Sequence, residues 1–179
     1  SFNSDTAITT KDKESEIKLD GLRILLAEDN EFNQMVAVDT LQDLIPGIEI
    51  EIASNGAIAL QLVQDKEYDI VLMDIQMPEL DGVAATKDIL AEWPEAKVII
   101  LTMYRQDTYV FEAIKVGARG YLLKDADAND LIDSIRRVSE GETLLNADMA
   151  ASILDEFKRV KEVTPEHSEH KLSDLTERE

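Results

Sequence analysis

The sequence contains no cysteine among its 179 residues. Disulfide bonds, thiolate zinc sites and cysteine nucleophiles are therefore excluded. Histidine is nearly as scarce: the two copies, His167 and His170, lie three residues apart in a polar stretch near the C-terminus. We expect these two imidazoles to be solvated rather than to bind a metal.

Long apolar runs and basic residues are also scarce. No stretch approaches the roughly 18–20 apolar residues of a membrane span, and the N-terminal residues lack the apolar core of a signal peptide. Lys and Arg number 18 against 38 Asp and Glu, for a formal net charge of −20. Because nucleic-acid binding draws chiefly on basic contacts to phosphates, we expect that the present residues do not themselves bind DNA. Because neither a membrane span nor a signal peptide is recognisable, we expect a cytosolic protein.

Strand and helix patterns alternate between residues 23 and 140. The predicted strands are 23–28, 48–53, 69–74, 97–102 and 119–123, and the predicted helices are 31–45, 56–65, 83–92, 106–116 and 127–140. Pro46-Gly47, Trp93-Pro94 and Gly117 mark helix ends. Five strand–helix repeats with short connections predict a doubly wound α/β domain, a parallel sheet with helices on both faces.

One strand ends in a lone acid. The apolar run Ile70-Val71-Leu72-Met73 reads as a buried strand, and Asp74 follows it directly. In open α/β sheets ligands bind outside the carboxyl ends of the strands, so this carboxylate is a candidate functional group. Strand ends often carry polar residues, so Asp74 taken alone has a purely structural explanation as well.

Three other predicted strands end in residues that suit phosphoryl chemistry. The strand at 23–28 runs into Glu28-Asp29, the strand at 97–102 ends at Thr102, and the strand at 119–123 is followed by Lys124. If the strands are parallel neighbours, these groups converge with Asp74 on one rim. The carboxylates supply the oxygen ligands that Mg²⁺ prefers, Asp74 can attack phosphorus, and Thr102 and Lys124 can hold phosphoryl oxygens.

Each of these residues also has a simpler explanation. Asp29 and Asn30 could cap the helix that begins near Glu31, and Asp81-Gly82 reads most simply as a turn into a helix. Thr102 could be a strand-end hydroxyl without a ligand, and Lys124 a surface lysine. For each residue taken singly the simpler explanation is favoured, but the occurrence of all these residues together, in this order and at matching strand ends, is improbable by chance.

The full pattern resembles a known family. Glu28-Asp29, Asp74, Thr102 and Lys124, with Met77-Pro78 and Asp81-Gly82 after the central acid, resemble the receiver domain of two-component response regulators from about Leu22 to Glu140. The resemblance implies a flavodoxin-like (βα)5 fold with strand order 2-1-3-4-5. The chain departs from many receivers at Asp125, where they carry proline after the lysine.

The resemblance also implies a function. Asp74 would be the phosphoacceptor, and the donor a phosphohistidine on a histidine kinase or phosphotransfer protein. Mg²⁺ would be held by Glu28, Asp29, Asp74 and the backbone carbonyl of Gln76. In receivers the hydroxyl at the Thr102 position moves on phosphorylation and makes space for an aromatic side chain, here Tyr121. A half-buried core position is the alternative explanation of Tyr121.

The C-terminal residues predict a helix, a linker and the start of a second domain. Asn146 to Lys161 has helical spacing with one apolar face, formed by Met149, Ile153, Leu154, Phe157 and Val160. Residues 172–179 resemble the opening of a LuxR-type helix-turn-helix domain of the NarL subclass. We therefore expect a flexible leader over 1–20, a receiver over 21–141, a helix and linker over 142–171, and a truncated DNA-binding domain from 172.

The interpretation predicts a non-enzyme that controls transcription, with phosphorylation-dependent homodimers and DNA contacts only through the missing domain. Two alternatives stay open. Leu25 to Gln34 looks more like receivers attached to hybrid histidine kinases, which would suit a phosphorelay intermediate or phosphate sink. A haloacid-dehalogenase-type phosphohydrolase also uses aspartate and Mg²⁺, but those enzymes have an acid where this chain has Gln76.

Overall fold

The computed structural model describes residues 19–103, 108–145 and 147–162. Strands and helices alternate from β1 to α5, and one further helix follows. The strands are β1 (Arg23–Ala27), β2 (Glu49–Ala53), β3 (Ile70–Asp74), β4 (Val98–Thr102) and β5 (Gly120–Leu123); the helices are α1 (Glu31–Leu44), α2 (Gly56–Asp65), α3 (Gly82–Glu92), α4 (Thr108–Lys115), α5 (Ala128–Ser139) and α6 (Ala147–Glu162). Most of the predicted leader, the linker after Glu162, both histidines and the segment 172–179 lie outside the described residues.

The five strands form one parallel sheet in the order β2-β1-β3-β4-β5. This confirms the predicted doubly wound fold and its strand order. Because β1 and β3 are neighbours although β2 lies between them in sequence, the chain changes direction across the sheet at this point. In such sheets the crevice at the carboxyl ends beside the change of direction is the usual ligand position.

Alternating side chains of the strands build two cores, one on each face of the sheet. Leu25 and Met73 belong to the cluster packed against α2, α3 and α4. Ile24 and Leu72 belong to the cluster packed against α1 and α5. Every residue of β3 is buried, which explains its continuous apolar sequence, since a strand covered on both faces needs no polar alternation.

Side-chain caps start α1, α2, α3 and α5, the helices that follow β1, β2, β3 and β5. Asn30, Asn55, Asp81 and Asp127 each accept a hydrogen bond from the backbone N–H three residues ahead. Caps of this kind stabilise a helix by about 1 kcal/mol each. The predicted helix start at Asn30 and the predicted turn at Asp81 are confirmed, and both lie beside the crevice.

The C-terminal helix α6 packs against the domain only through its first turns. Met149 is buried in the core on the α4 side, and Ile153 packs against that core. The sequence grouped these two with Leu154, Phe157 and Val160 on one face, but the latter three are exposed. Within the described ranges, no helix has both the length and the apolar character that crossing a bilayer requires.

Candidate active site at the carboxyl edge of the sheet

The sheet register brings the predicted residues to one edge. Asp74 closes β3 and pairs with Leu101, and Thr102 follows as the last residue of β4. Lys124 comes directly after β5, where its backbone N–H donates to the Thr102 carbonyl at 2.8 Å. Asp74 and Thr102 are both buried. Three adjacent strands therefore deliver a carboxylate, a hydroxyl and an ammonium to the same crevice.

Glu28 lies directly after β1, beside the Asp74 strand. Its backbone N–H donates to the Ala53 carbonyl at 3.0 Å, which continues the pairing of β1 with β2. Its carboxylate oxygen Oε1 accepts from the Asn30 backbone N–H at 3.1 Å and from Asn33 Nδ2 at 3.3 Å. The carboxylate is thus fixed by the first turn of α1 and points into the crevice.

Lys124 lies between the two buried carboxylates. Its Nζ atom is 2.7 Å from Glu28 Oε2 and 3.0 Å from Asp74 Oδ2. The side chains of Lys124, Glu28 and Asp74 are only 16%, 3% and 6% exposed. The alternative explanation of Lys124 as a solvated surface lysine is therefore wrong. Its ammonium acts as the central cation of a buried cluster.

Burial and charge act in opposite directions on Asp74. Burial raises the pKa of the Asp74 carboxyl, and the Glu28 charge raises it further, whereas the bonds from Lys124 and the Gln76 N–H lower it. The net result is a raised pKa. For Lys124 burial alone would lower the pKa, but the bonds to Glu28 and Asp74 outweigh it and raise the pKa. The fold therefore favours the protonated ammonium of Lys124. The cost of burying the ionised carboxylate of Asp74 is only partly offset by its contacts.

A third carboxylate completes an oxygen-rich cluster. Oxygen atoms of Glu28, Asp29 and Asp74 lie within 4.8 Å of one another. Asp29 is exposed, and Asn30 rather than Asp29 caps α1. Three carboxylates face one ammonium, so the cluster carries excess negative charge. Hard oxygen donors and uncompensated charge are what a divalent cation such as Mg²⁺ prefers, so the donor set fits this metal.

The loop after Asp74 is held against the site. The Gln76 N–H donates to Asp74 Oδ1 at 3.4 Å, and the Gly82 N–H donates to the Ile75 carbonyl at 2.9 Å. A Cβ atom at position 82 would overlap the Asp74 carbonyl oxygen, so only glycine allows this approach. Asp81 then caps α3 at Ala84. The turn predicted at 81–82 therefore also fixes the loop that carries Gln76.

The crevice is a polar cleft of about 280 Å³. The lining includes all six predicted catalytic and metal-binding residues, Glu28, Asp29, Asp74, Gln76, Thr102 and Lys124, together with Asn30, Asn33, Ile75 and Met103. Asn33 was not predicted as a site residue. Its position three residues after the cap, in the first turn of a helix that starts at this edge, is the signal that could have found it.

Tyr121 lies outside this lining. It occupies β5 opposite Ile100 and is half-buried against the core on the α4 side. This position agrees with the alternative explanation of Tyr121 as a core aromatic. Tyr121 is also close to Thr102 in the sheet, because Thr102 pairs with Leu123, the residue two positions after Tyr121 in β5. A switching role for Thr102 and Tyr121 stays a prediction.

Comparison with known proteins points in one direction. The family model described as response regulator receiver domain matches residues 24–136. The chain is 41% identical over 127 residues to the transcriptional regulatory protein YxjL of Bacillus subtilis (strain 168), covering 71% of this chain and 57% of that protein. It is 35% identical over 161 residues to the transcriptional regulatory protein LnrK of the same organism, covering 88% and 73%.

Solved structures agree with the sequence comparison. A two-component response regulator of the LuxR family from Aurantimonas sp. SI85-9A1 superposes with a TM-score of 0.66 at 28% identity, covering 76% of this chain and 98% of that one. The receiver domain of the sensor histidine kinase PA1611 from Pseudomonas aeruginosa PAO1, which has a magnesium ion coordinated in its active-site cleft, superposes at 0.62 with 30% identity, covering 67% and 98%.

The match extends beyond half of this chain but not to the full length of its relatives. The chain spans 57% of YxjL and 63% of the transcriptional regulatory protein DegU of Brevibacillus brevis. The matched residues 24–136 contain β2 to β5, all of β1 except Arg23, and every residue of the acidic cleft. With the strand order and the site in agreement, this chain belongs to the family of response regulator receiver domains.

Proposed function

We propose that Asp74 accepts a phosphoryl group from a phosphohistidine, on a histidine kinase or phosphotransfer protein, and that this modification controls a DNA-binding output domain. One observation carries the proposal. A buried aspartate at the carboxyl edge of the sheet has a lysine ammonium 3.0 Å away, with two further carboxylates in reach. The transcriptional regulators among the relatives support the output that the proposal names.

The proposed transfer moves one phosphoryl group from the donor protein to this chain and takes one proton from solvent. A carboxylate oxygen of Asp74 attacks phosphorus, the phosphorus–nitrogen bond of phosphohistidine breaks, and its electron pair remains on the imidazole nitrogen, which takes a proton from solvent. The product on Asp74 is an acyl phosphate. Such transfers depend mostly on positioning and on charge stabilisation. Lys124 supports the step because its ammonium already contacts the attacking carboxylate.

Mg²⁺ is part of the proposal. Glu28, Asp29, Asp74 and the backbone carbonyl of Gln76 would hold it, and it would neutralise charge on the incoming phosphoryl group. Before the metal binds, the Lys124 ammonium would hold the Glu28 and Asp74 carboxylates close together. The fixed Glu28 carboxylate and the held loop after Asp74 support this assignment.

The proposed switch begins when the phosphoryl group on Asp74 attracts side chains that can bind its oxygens. Phosphorylation adds about −1.5 to −2 charges and three acceptor oxygens, which would draw in the Thr102 hydroxyl and the Lys124 ammonium. Because Lys124 follows β5 and its N–H is bonded to Thr102, the ends of β4 and β5 would respond together. Tyr121 would then turn inward, and the surface formed by α4, β5 and α5 would transmit the change.

We propose a leader over 1–20, a receiver over 21–141, a helix and linker over 142–171, and the start of a helix-turn-helix domain from 172. Phosphorylation would promote association of two copies, and DNA would be bound through the C-terminal domain alone. Both the donor and the DNA target would be cytosolic, so the chain would act in the cytosol.

An enzymatic role is not part of the proposal. The second residue after Asp74 is Gln76, whose amide side chain cannot exchange protons as the acid found there in haloacid-dehalogenase-type hydrolases does. Relatives named as transcriptional regulatory proteins also favour a signalling role. Turnover of small phosphate esters at a rate that Asp74→Asn abolishes would contradict this part of the proposal.

A phosphorelay role is the second candidate. The similarity to the receiver of the sensor histidine kinase PA1611, at 30% identity, favours it. The phosphorylated chain incubated with a purified histidine phosphotransfer protein separates the two roles. Rapid return of the phosphoryl group to histidine would support a relay, and retention on the chain would support a transcriptional output.

The proposal is tested by intact-mass measurement after incubation with acetyl phosphate and Mg²⁺. We expect one phosphate on the wild-type chain and none on Asp74→Asn or in the absence of the metal. The matched control is Asp81→Asn, which alters an aspartate that caps α3 near the cleft but leaves the proposed acceptor intact. Equal labelling of wild type and Asp74→Asn would contradict the proposal.

Binding of Mg²⁺ is tested separately by thermal unfolding of the unmodified chain. A ligand at about 100 times its dissociation constant stabilises the folded state by roughly 2.7 kcal/mol. We expect Mg²⁺ to raise the melting temperature of wild type and to raise that of Asp29→Asn much less. Asp39→Asn, on the exposed side of α1, is the control and should respond like wild type. An equal response of all three chains would remove Asp29 from the metal site.

A further inference from the structure

The loop between β3 and α3 contains a strained turn at Glu79. The backbone of Glu79 has a φ of +66°, in the left-handed region that residues other than glycine rarely adopt. The Leu80 N–H donates to the Pro78 carbonyl at 2.8 Å, across this one residue. Such a hydrogen bond around a residue with positive φ defines the rare, strained form of the γ-turn. Strain of this kind persists only where the surrounding structure holds it, and it points to a functional constraint.

Two neighbouring residues at the start of α2 hold the strained turn. Asn55 Nδ2 donates to Glu79 Oε2 at 3.3 Å, and the Gly56 N–H donates to the Leu80 carbonyl at 3.0 Å. A Cβ atom at position 56 would overlap the Leu80 carbonyl oxygen, so glycine is required for this approach. The Asn55 side chain is buried, which fixes the direction of its amide. We name the hydrogen bond between Asn55 and Glu79 the loop strap.

Capping of α2 does not explain why position 55 is an asparagine. The cap uses the side-chain oxygen, which accepts from the Ile58 N–H at 2.8 Å. Aspartate caps helices about as well as asparagine, and Asp81 and Asp127 start α3 and α5 in the same way. Only an amide nitrogen can donate to the Glu79 carboxylate. The residue type at position 55 therefore follows from the loop strap.

We infer that Asn55 and Glu79 are positioning residues for the metal site of the cleft. The loop strap holds the middle of the loop that carries the proposed Mg²⁺ ligand, the carbonyl of Gln76. The base of the same loop is closed by the bond from the Gly82 N–H to the Ile75 carbonyl. Neither Asn55 nor Glu79 lines the cleft. The inference rests on the Mg²⁺ site of the proposed function and assigns to it two residues that act through the loop.

The geometry that Mg²⁺ requires makes the position of the Gln76 carbonyl important. Mg²⁺ needs a near-ideal octahedron of oxygens at about 2.0–2.1 Å, whereas Ca²⁺ accepts about six to eight oxygens at about 2.3–2.6 Å in flexible arrangements. Loosening the loop should therefore weaken the binding of Mg²⁺ more than that of Ca²⁺. A general loss of stability or a change in net charge would act on both ions alike. The ratio of the two dissociation constants thus reports positioning.

Asn55→Asp breaks the loop strap and keeps the cap of α2. Two carboxylates would then face each other where the hydrogen bond was. We expect the affinity for Mg²⁺, measured by isothermal titration calorimetry of the full chain, to fall about tenfold. The affinity for Ca²⁺ should fall by less than about threefold. Charge alone would act in the opposite direction, because an added carboxylate attracts a divalent cation.

Asn55→Asp/Glu79→Gln is the matched control. This double variant has the net charge of wild type, and it restores the hydrogen bond with donor and acceptor exchanged between the two positions. We expect its affinity for Mg²⁺ to return to within about threefold of wild type, because the two changes are coupled through one contact. Glu79→Gln alone keeps an acceptor for Asn55 Nδ2 and should also stay within about threefold.

Glu79→Gly separates backbone strain from positioning. Glycine adopts positive φ without strain, so the variant should unfold at a urea concentration no lower than wild type. Its affinity for Mg²⁺ should still fall, because the acceptor of the loop strap is lost. In the metal-free chain, Asn55→Asp should exchange the Leu80 amide hydrogen faster than wild type, measured by NMR. Unchanged exchange at Leu80 would contradict a role of the loop strap in holding the loop.

The calorimetric series decides the inference. Asn55→Asp that binds Mg²⁺ like wild type, or that loses Mg²⁺ and Ca²⁺ affinity equally, would overturn it. Failure of the double variant to recover Mg²⁺ affinity would overturn it as well. A wild type that binds no Mg²⁺ would overturn the metal site of the proposed function together with the inference. Failure of the loop strap alone is therefore distinguishable, because wild type then still binds the metal.

Discussion

Two charge clusters in this chain combine carboxylates with a lysine, and they differ in burial and in balance. The cleft cluster consists of Glu28, Asp29, Asp74 and Lys124. The edge cluster consists of Glu51 on the outer strand β2 together with Lys66 and Tyr68, which lie between α2 and β3. In the edge cluster Lys66 Nζ lies 2.8 and 3.0 Å from the two Glu51 oxygens, and the Tyr68 hydroxyl donates to Glu51 at 2.6 Å.

The edge cluster is balanced, whereas the cleft cluster is not. The bond from Lys66, followed by that from Tyr68, lowers the pKa of Glu51, so its ionised form is favoured in the fold. Burial raises the pKa of Asp74 although Lys124 is in contact with it. A carboxylate whose burial is incompletely compensated is a better candidate for chemistry than one that its neighbours already satisfy.

Removing the lysine from each cluster should give the largest difference. We expect Lys124→Met to destabilise the fold by about 3 kcal/mol in the absence of divalent cations, because two buried carboxylates lose their shared cation. Lys66→Met, with both partners partly exposed, should cost less than about 1 kcal/mol. Urea unfolding of both variants measures the two costs, and similar losses would contradict the distinction between the clusters.

Neutralising the acid in each cluster should give effects of opposite sign. We expect Asp74→Asn to stabilise the fold by about 1–2 kcal/mol at neutral pH, because it removes the incompletely compensated charge and leaves Lys124 paired with Glu28. Glu51→Gln should destabilise it, because Lys66 loses its partner. The readout is the free energy of unfolding, and a destabilised Asp74→Asn variant that still folds would argue against strain in the cleft.

The smallest expected effect is the pH dependence of the edge cluster. A lowered pKa in the folded state means that the contribution of Glu51 is present above its ordinary value of about 4.5 and is lost as the pH falls through the folded value. Wild type and Glu51→Gln should therefore differ by less than about 1 kcal/mol near pH 7, and the difference should disappear as the pH falls below the pKa of Glu51 in the folded protein. A constant difference across this range would exclude ionisation of Glu51 as its cause.

Much of the fold follows from local sequence. The apolar run Ile70 to Met73 identified a strand covered on both faces, and the structure confirms β3 over Ile70–Asp74. Asn30 and Asp81 marked helix starts because their side chains cap backbone N–H groups. The order of the strands came from the family resemblance, because local patterns do not state which strands are neighbours.

The cleft could be anticipated in its residues but not in its contacts. Glu28 and Lys124 are 96 positions apart, and their 2.7 Å bond depends on the register of four strands. A shift of one residue in any strand would turn its side chains to the opposite face. The sequence also could not assign Met149 to the core and Phe157 to the surface, because both fit one helical apolar pattern.

The central claim, that Asp74 is the phosphoacceptor, is tested most directly by mapping the modified residue. Borohydride reduces an aspartyl phosphate to homoserine, which peptide mass spectrometry can assign to a position in the chain. After phosphorylation with acetyl phosphate and Mg²⁺, we predict homoserine at position 74 and at no other aspartate. Homoserine at Asp29 or Asp81 instead, or a phosphorylated chain with intact aspartate at 74, would contradict the account.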